Sequence, residues 1–532
     1  MATSTADPHQ IDLKRDRLVI IASSLGTIFE WYDFFVYGTL AVLIGKLFFP
    51  ESSDTAAFLM ALATFGVGFG VRPIGAALFG HLGDKLGRKY TFLVTITLMG
   101  VATAGVGLLP TYATIGLAAP LLLLVLRALQ GLALGGEYGG AAIYVAEHAP
   151  RNRRGFYTSF IQASVIGGFL LSVIIVLSTR TYVGEDAWAA WGWRVPFLFS
   201  ILLLAISLWI RLKLSESPVF QAMKEAGEVA HNPVKEALDS WAKIRRLLTV
   251  MLGVAAGLTV VWYTAQFQAM YFLQNALRME DSAAQLFIGI GACFSMFWFI
   301  LFGWVSDIWG RKKTMITGYI LFMVLIFPLF HLMGSVANPQ LTQAMATHPV
   351  VVTGADCRYD PFAAKKQPTA CGDLLAALSK KGVAYTKVNA PVGTAPGVTI
   401  GGTAVDVTDP AKLDAALAAA GYKLEKTTPP WSEGWKIIVA IVLIGLLSGM
   451  TYGPAAAYLV ELFPARTRYT SLSIPYHIGT GYFGGFLPFI SQLIVARTGD
   501  PFAGIWYPVC VVGMATVFIT LFLPETSGKE LD

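Results

Sequence analysis

Long apolar runs alternate with short polar links along almost the whole chain. A helix needs roughly 20 residues to cross a hydrocarbon core of about 30 Å. Twelve runs reach or approach that length, at about 18–46, 57–80, 91–110, 117–146, 157–178 and 193–212, then 247–275, 286–305, 314–334, 435–460, 470–495 and 504–523. Six crossings return a chain to its starting side, so two groups of six have one orientation and are expected to be related by an axis along the membrane normal.

A charged turn is written twice between such runs. Gly80 to Lys89 and Gly303 to Lys312 share the pattern G-x-x-x-D-x-x-G-R-K, with Asp84 and Arg88 in the first copy and Asp307 and Arg311 in the second. Lipid cannot solvate an acid and adjacent cations in a tight link, so both turns are expected at a membrane face. A second motif repeats in the same order, Tyr144-Val-Ala-Glu147 with Pro150 and Arg153, and Tyr458-Leu-Val-Glu461 with Pro464, Arg466 and Arg468. The charged turns lie 223 residues apart and the second pair 314, so about 91 additional residues fall in the second half.

Composition agrees with a membrane protein: 55% of residues are hydrophobic and 14% charged, against roughly 25% charged in soluble domains. The net charge of +6 does not form a basic stripe with interleaved aromatics, which argues against nucleic acid as a partner. The cations instead gather in alternate links, at Lys85 to Lys89, Arg151 to Arg154, 213–246, Arg311 to Lys313, and Arg466 with Arg468. By the positive-inside rule those links and both termini are expected on the cytoplasmic side. Lys14, Arg15 and Arg17 introduce the first run with no short apolar segment before them, so an uncleaved start on the cytoplasmic side is expected.

The additional residues fall at 335–434, between the ninth and tenth runs. Short strand-like segments stand at Val350–Thr353, Val383–Val388 and Thr403–Val407, and helix-like ones at Gly372–Lys381 and Pro410–Ala420, the latter opened by Thr408-Asp409-Pro410. A small α+β insert is expected, on the extracytoplasmic side. An oxidising compartment there would allow a disulfide between Cys357 and Cys371, although two free thiols remain open at this point. The expected units are 1–212, a six-helix bundle; 213–246, a cytoplasmic linker; 247–334 and 435–532, the second bundle; and 335–434, the periplasmic insert.

With these residues in view the chain resembles the metabolite:proton symporters of the major facilitator superfamily, which include carriers of oxoglutarate, citrate, shikimate and proline/betaine. The charged turns carry the superfamily likeness. The narrower one rests on Glu30-Trp31-Tyr32-Asp33-Phe34, Arg72-Pro73, Arg127-Ala-Leu-Gln130-Gly131, Gly135-Gly136-Glu137-Tyr138-Gly139-Gly140 and Trp191-Gly192-Trp193-Arg194-Val-Pro196. It covers both halves and fails only at the insert. Pro524-Glu525-Thr526 also resembles sugar porters and discriminates poorly. The resemblance implies an all-α membrane protein of major facilitator fold, twelve transmembrane helices in two bundles, in a bacterial inner membrane. It also implies that Asp84, Arg88, Glu147, Arg153, Asp307, Arg311, Glu461 and Arg466 act as gate residues, tying helices at the cytoplasmic face rather than touching substrate.

Ionisable groups at membrane depth cost about 2.5–3.5 kcal/mol each on insertion scales, and so need a reason. Glu30 lies about twelve residues past the entry of the first run, about 18 Å deep, and Asp33 one turn further on the same face. Arg127 is about 15 Å into the fourth run, on a polar face shared with Gln130, Glu137 and Tyr144 at seven-residue spacing. Arg127 is expected to be compensated by Asp33 or Glu137 in the empty site and released to a carboxylate substrate, so that the freed acid takes up a proton. Arg72, Tyr263, Gln266, Tyr452 and His477 complete the candidate substrate and proton site, each with a packing role as the alternative.

No nucleophile elbow, Walker loop or metal-ligand cluster is present, so no enzyme activity, cofactor or metal is expected. The expected function is proton-coupled import of a small organic metabolite, a carboxylate foremost, by a monomer whose partners are substrate, protons and the lipid bilayer. The alternatives are a uniporter, a sugar or betaine-like carrier, or a sensor that binds a metabolite through the insert without moving it.

Overall fold

The computed structural model describes residues 13–531 except 87, 136–138, 140–141, 144, 147–148, 213–232, 364–366, 392, 408 and 465–466; side chains are described from Leu25 onward, and not over 80–92, 210–211, 233–234 or at 410. Helices dominate. The first half comprises α1 (Leu13–Thr39), α2 (Ala41–Phe48), α3 (Asp54–Phe79), α4 (Arg88–Leu108), α5 (Ala118–Leu134), α6 (Arg154–Val183) and α7 (Arg194–Leu212). The second comprises α8 (Trp241–Ala276), α9 (Asp281–Trp309), α10 (Arg311–Ala337), α11 (Pro339–Thr347), α12 (Ala370–Lys380), α13 (Pro410–Ala419), α14 (Trp431–Leu462), α15 (Arg468–Thr498) and α16 (Ala503–Phe522).

Among the described residues eight helices are long and apolar enough to cross a membrane, or ten when two bent pairs are each taken as one span. The shorter apolar helices Leu93–Leu108 and Ala118–Leu134 fall on the two remaining expected runs. The first run is not one straight helix, because α1 and α2 meet at 61°. At that corner the Thr39 hydroxyl donates back to the Phe35 carbonyl, a local bond that competes with the helical ladder. The helix before α7 meets it at 59°, beside Pro196, which has no N–H to give the ladder. The seam between halves is built where α6 packs along α9, and α3 along the middle of α15.

Residues 350–422 form a separate α+β unit with its own apolar core. Its sheet has the order β2-β1-β3-β4, from β1 (Val350–Gly354), β2 (Tyr385–Asn389), β3 (Gly397–Ile400) and β4 (Thr403–Val405). β1 and β2 are parallel and joined through α12; β1–β3 and β3–β4 are antiparallel. The sequence reading missed β3 and α11. The β3–β4 turn is Gly401-Gly402, at φ 57° and 85°, the pair of positive angles that a two-residue hairpin of type I′ requires. Thr369 and Asp409 cap α12 and α13, and Cys357 is disulfide-bonded to Cys371 beside β1.

The unit is fastened to one end of the bundle, called here the sheet end. Tyr385 N–H donates to Gly499 O at 3.1 Å and the Lys387 ammonium to Arg497 O at 3.0 Å, and in the link that follows the unit Thr427 N–H donates to Arg278 O at 2.9 Å. Leu59 of α3 and Ala496 of α15 enter its core, so it rests on both halves. Burial there pushes the Tyr385 phenol up to about 12.

Candidate functional site

Aromatic residues of α1 are spaced so that Trp31, Phe34, Phe35 and Gly38 fall on one side, given 100° per residue. That side faces the second half: Phe35 stacks on Trp262 with ring centres 5.0 Å apart, and Tyr271 OH donates to Gly38 O at 2.8 Å. Asp33 lies 200° from both Trp31 and Phe35, and so points away from the seam. It lines a small pocket with Glu30, Met99, Leu203 and Ser207, between α1, α4 and α7. Asp33 is buried, and its Oδ1 has no hydrogen-bond partner among the described residues. The shared face of Glu30 and Asp33 is therefore as expected, but it is the back of the helix.

Arg127 sits at the seam side instead. Its Nη1 donates to Gln130 Oε1 at 2.6 Å, and Gln130 Nε2 donates to Thr103 Oγ1 at 2.6 Å. Gly131 lets α5 press on α3, because a Cβ there would collide with Gly68 O, and this brings Arg127 Nη2 within 3.4 Å of Phe65 O. The guanidinium also lies 4.3 Å from the Phe34 ring centre and 4.5 Å from that of Tyr37. The expected Arg127–Asp33 compensation is not formed: the two side chains lie on opposite sides of α1.

Arg72 is the second buried cation. Its guanidinium carbon is 3.9 Å from the Phe69 ring centre, 4.7 Å from Phe34 and 5.0 Å from Trp31. It is within electrostatic range of Arg127, Tyr263, Tyr452 and Tyr476, and of His477. Ring faces contribute about 0.5–2 kcal/mol each to holding a cation, which offsets but does not replace a counter-charge. Among the described residues no carboxylate pairs with Arg72 or Arg127.

The second half closes this cluster from across the seam. Tyr263 packs edge-on to Phe69 at 5.4 Å, and Tyr452 OH lies 3.3 Å from Tyr476 OH. Tyr263 OH, Gln266 Oε1 and both ring nitrogens of His477 are buried with no hydrogen-bond partner among the described residues. Polar groups left thus at a seam between two bundles are donors and acceptors available to a polar solute. Glu137 and Tyr144 lie outside the described residues.

At the opposite end from the sheet, the second charged turn makes a buried cluster. Arg311 Nη1 is 2.7 Å from Asp307 Oδ1, and its Nη2 is 3.3 Å from Glu461 Oε1. Asp307 also reaches across the seam, accepting from Gly155 N–H at 2.9 Å and Phe156 N–H at 2.8 Å, the free amides that begin α6. Arg154 adds a 3.7 Å pair to Glu461. Of the expected gate residues, Asp307, Arg311 and Glu461 meet. Arg153 is exposed, because the turn Arg151–Arg153 ends there and its neighbour Arg154 points inward. The side chains of Asp84, Arg88, Glu147 and Arg466 lie outside the described residues.

Sequence reading missed the tail. Glu525 caps α10, accepting from Arg311 N–H at 2.9 Å and Lys312 N–H at 3.1 Å, while Thr526 Oγ1 donates to Glu461 Oε2 at 2.7 Å. Arg151 pairs with Glu530 at 2.7 Å. The available signal was Pro524-Glu525-Thr526, an acid placed to serve a helix start.

The sugar (and other) transporter family matches residues 18–248. The shikimate transporter of Escherichia coli K12 is 38% identical over 340 residues, which is 62% of this chain and 75% of that one. An inner membrane metabolite transport protein of the same strain is 29% identical over the full length of both chains. The chain belongs to the metabolite:proton symporters of the major facilitator superfamily. The fold agrees: the D-xylose-proton symporter superposes with a TM-score of 0.60 at 18% identity, covering 97% of this chain and 100% of that one.

The protein is thus a multi-pass membrane transporter, not an enzyme. In this transporter both ends of the seam are tied in one structure. Gln285 Nε2 donates to Thr39 O at 3.0 Å at the sheet end, and the Asp307 contacts hold the other.

Proposed function

We propose that this transporter is a proton-coupled symporter that imports a small organic carboxylate by alternating access. The observation that carries the reading is the pair of buried guanidiniums, Arg72 and Arg127, over aromatic rings and without a carboxylate among the described residues. A planar fork of donors suits a carboxylate, which would supply the missing counter-charge. Relatives named for shikimate and alpha-ketoglutarate support the class. Others are named proline/betaine transporters. A quaternary ammonium, however, needs open ring faces, and here Phe34, Phe69 and Tyr37 already hold guanidiniums.

In this reading the chain spans the membrane twelve times, both termini are cytoplasmic, and the sheet end faces outward. Asp33 carries the proton in its own pocket, while the anion binds on the opposite face of α1. The helix is the shared element, and linkage between the two sites is reciprocal. Uptake of radiolabelled carboxylates, betaines and sugars into proteoliposomes under an imposed pH gradient tests this. Concentrative uptake of a carboxylate that collapses with the gradient is expected. Uptake indifferent to pH would favour a uniporter, and binding without uptake a sensor.

A further inference from the structure

We propose that the open-mouthed cavity between the α+β unit and the sheet end of the bundle is a second anion site, an antechamber that gathers the carboxylate before it reaches the seam. The cavity has a volume of about 230 Å³ and is walled by α2 and α3 of the first half, the end of α8, α15 and the α12–β2 connection. Four basic residues, Lys46, Arg278, Lys380 and Lys426, line it against one acid, Asp54. Lys426 is 2.7 Å from Asp281, which leaves Lys46, Lys380 and Arg278, the last holding Leu424 O through Nε, as the positive charge of the wall against Asp54.

The wall is largely apolar, with Val42, Phe58, Leu59 and Phe272 in it, and polar groups set into it are unpaired where a dry packing gap would carry none. Gln274 is buried, and neither its Oε1 nor Asn275 Nδ2 has a hydrogen-bond partner among the described residues. Both belong to the π-helical turn Phe272–Ala276, and Arg278 follows at φ 56°, a conformation that side-chain-bearing residues seldom adopt. Local backbone that departs from regular helix and carries unpaired polar groups into a cavity is a common setting for ligand contact. On its inner side the cavity is lined by Gln492, whose Nε2 donates to Gln268 Oε1 at 3.2 Å. Gln268 is on α8, the helix that also presents Tyr263 and Gln266 at the seam. A concave, basic, low-dielectric site raises the local concentration of a small anion by roughly 10- to 1000-fold at low salt.

The inference rests on the carboxylate reading of the seam, and its test separates the two. In full-length protein with Cys293 and Cys510 replaced by serine, Ser379→Cys in the cavity and Ala404→Cys on the exposed surface are labelled with anionic and cationic methanethiosulfonates. The anionic-to-cationic rate ratio at position 379 should exceed that at 404 at least tenfold, fall back with Lys46→Gln/Lys380→Gln, and shrink at 1 M salt. Succinate should slow labelling at 379 and not at 404. In Arg127→Ala protein, labelled succinate should still bind weakly, and the double lysine variant should remove that binding. Equal ratios at 379 and 404, or no succinate protection at 379, would overturn the antechamber. Protection at 379 in a protein that accumulates no carboxylate would keep the antechamber and sink the transport reading instead.

Discussion

Replacing Asp307 by Asn isolates what holds the charged-turn end shut. Only contacts that cross the seam bias the opening equilibrium, so the Asp307–Arg311 pair, which lies within one half, drops out to first order. What crosses is the carboxylate accepting from Gly155 and Phe156 N–H at 2.9 and 2.8 Å. Each charge-assisted bond contributes about 1.5–3 kcal/mol, and an amide retains one neutral acceptor while leaving the other N–H unserved. The net loss is about 2–4 kcal/mol, which at 1.4 kcal/mol per tenfold shifts the open fraction by ~30-fold to several hundredfold. Ser159→Cys reports it, because Ser159 is buried on α6 against Gly303. In detergent, with Cys293 and Cys510 replaced by serine, maleimide labelling of that cysteine should accelerate by at least ~30-fold in the Asp307→Asn background. Arg151→Gln is the comparison. Its pair with Glu530 is mostly exposed, worth about 0–1 kcal/mol, and should change the rate less than about fivefold. Equal labelling in Asp307→Asn and the parent would refute the lock.

Asp33→Asn should abolish accumulation driven by a pH difference while leaving substrate exchange intact; accumulation that persists would remove Asp33 as the coupling acid. Arg127→Ala should lower carboxylate binding at least tenfold, and Gln130→Leu less, since Phe65 O still orients the guanidinium; calorimetry on purified protein decides the order. A cysteine at Lys412 should react with an impermeant reagent in intact spheroplasts, and reaction only after lysis would reverse the assigned sidedness. Replacing Cys357 and Cys371 by alanine opens a loop of about 15 residues and should destabilise the α+β unit by about 3 kcal/mol, read as faster proteolysis within 350–422 while the helical bundle stays intact.

The apolar helices and the second charged turn were legible because the bilayer imposes one rule everywhere: apolar length inside, charge at the faces. Depth along a helix was reckoned from rise per residue alone. Direction around it was not weighed for Asp33, although Trp31, Phe34, Phe35 and Gly38 already marked the seam side of α1 by their spacing. Arg153 and Arg154 differ by one position, which is below the precision with which a helix start can be read from sequence. β3 is only Gly397–Ile400, too short to announce itself, though Gly401-Gly402 between two β-prone stretches was the hairpin signal. The buried cations were found by type, whereas their aromatic seats depend on α3 and α5 meeting at Gly68 and Gly131, a long-range fact that no local pattern carries.

The placement of the α+β unit in the chain has a consequence for biosynthesis. Every strand, both helices and the disulfide lie within residues 350–422, so the unit can form its sheet and most of its core while the ribosome is still making the segments beyond it. Its anchorage cannot be completed then, because Arg497 and Gly499 arrive almost eighty residues later. At about 5–20 residues per second that is a delay of roughly 4–15 s. Throughout it β2 is an uncovered sheet edge, the kind that recruits stray strands, and Lys387 on that edge supplies the charge that discourages them. The same lysine later reaches the Arg497 carbonyl, so one side chain guards the nascent edge first and anchors the finished unit afterwards.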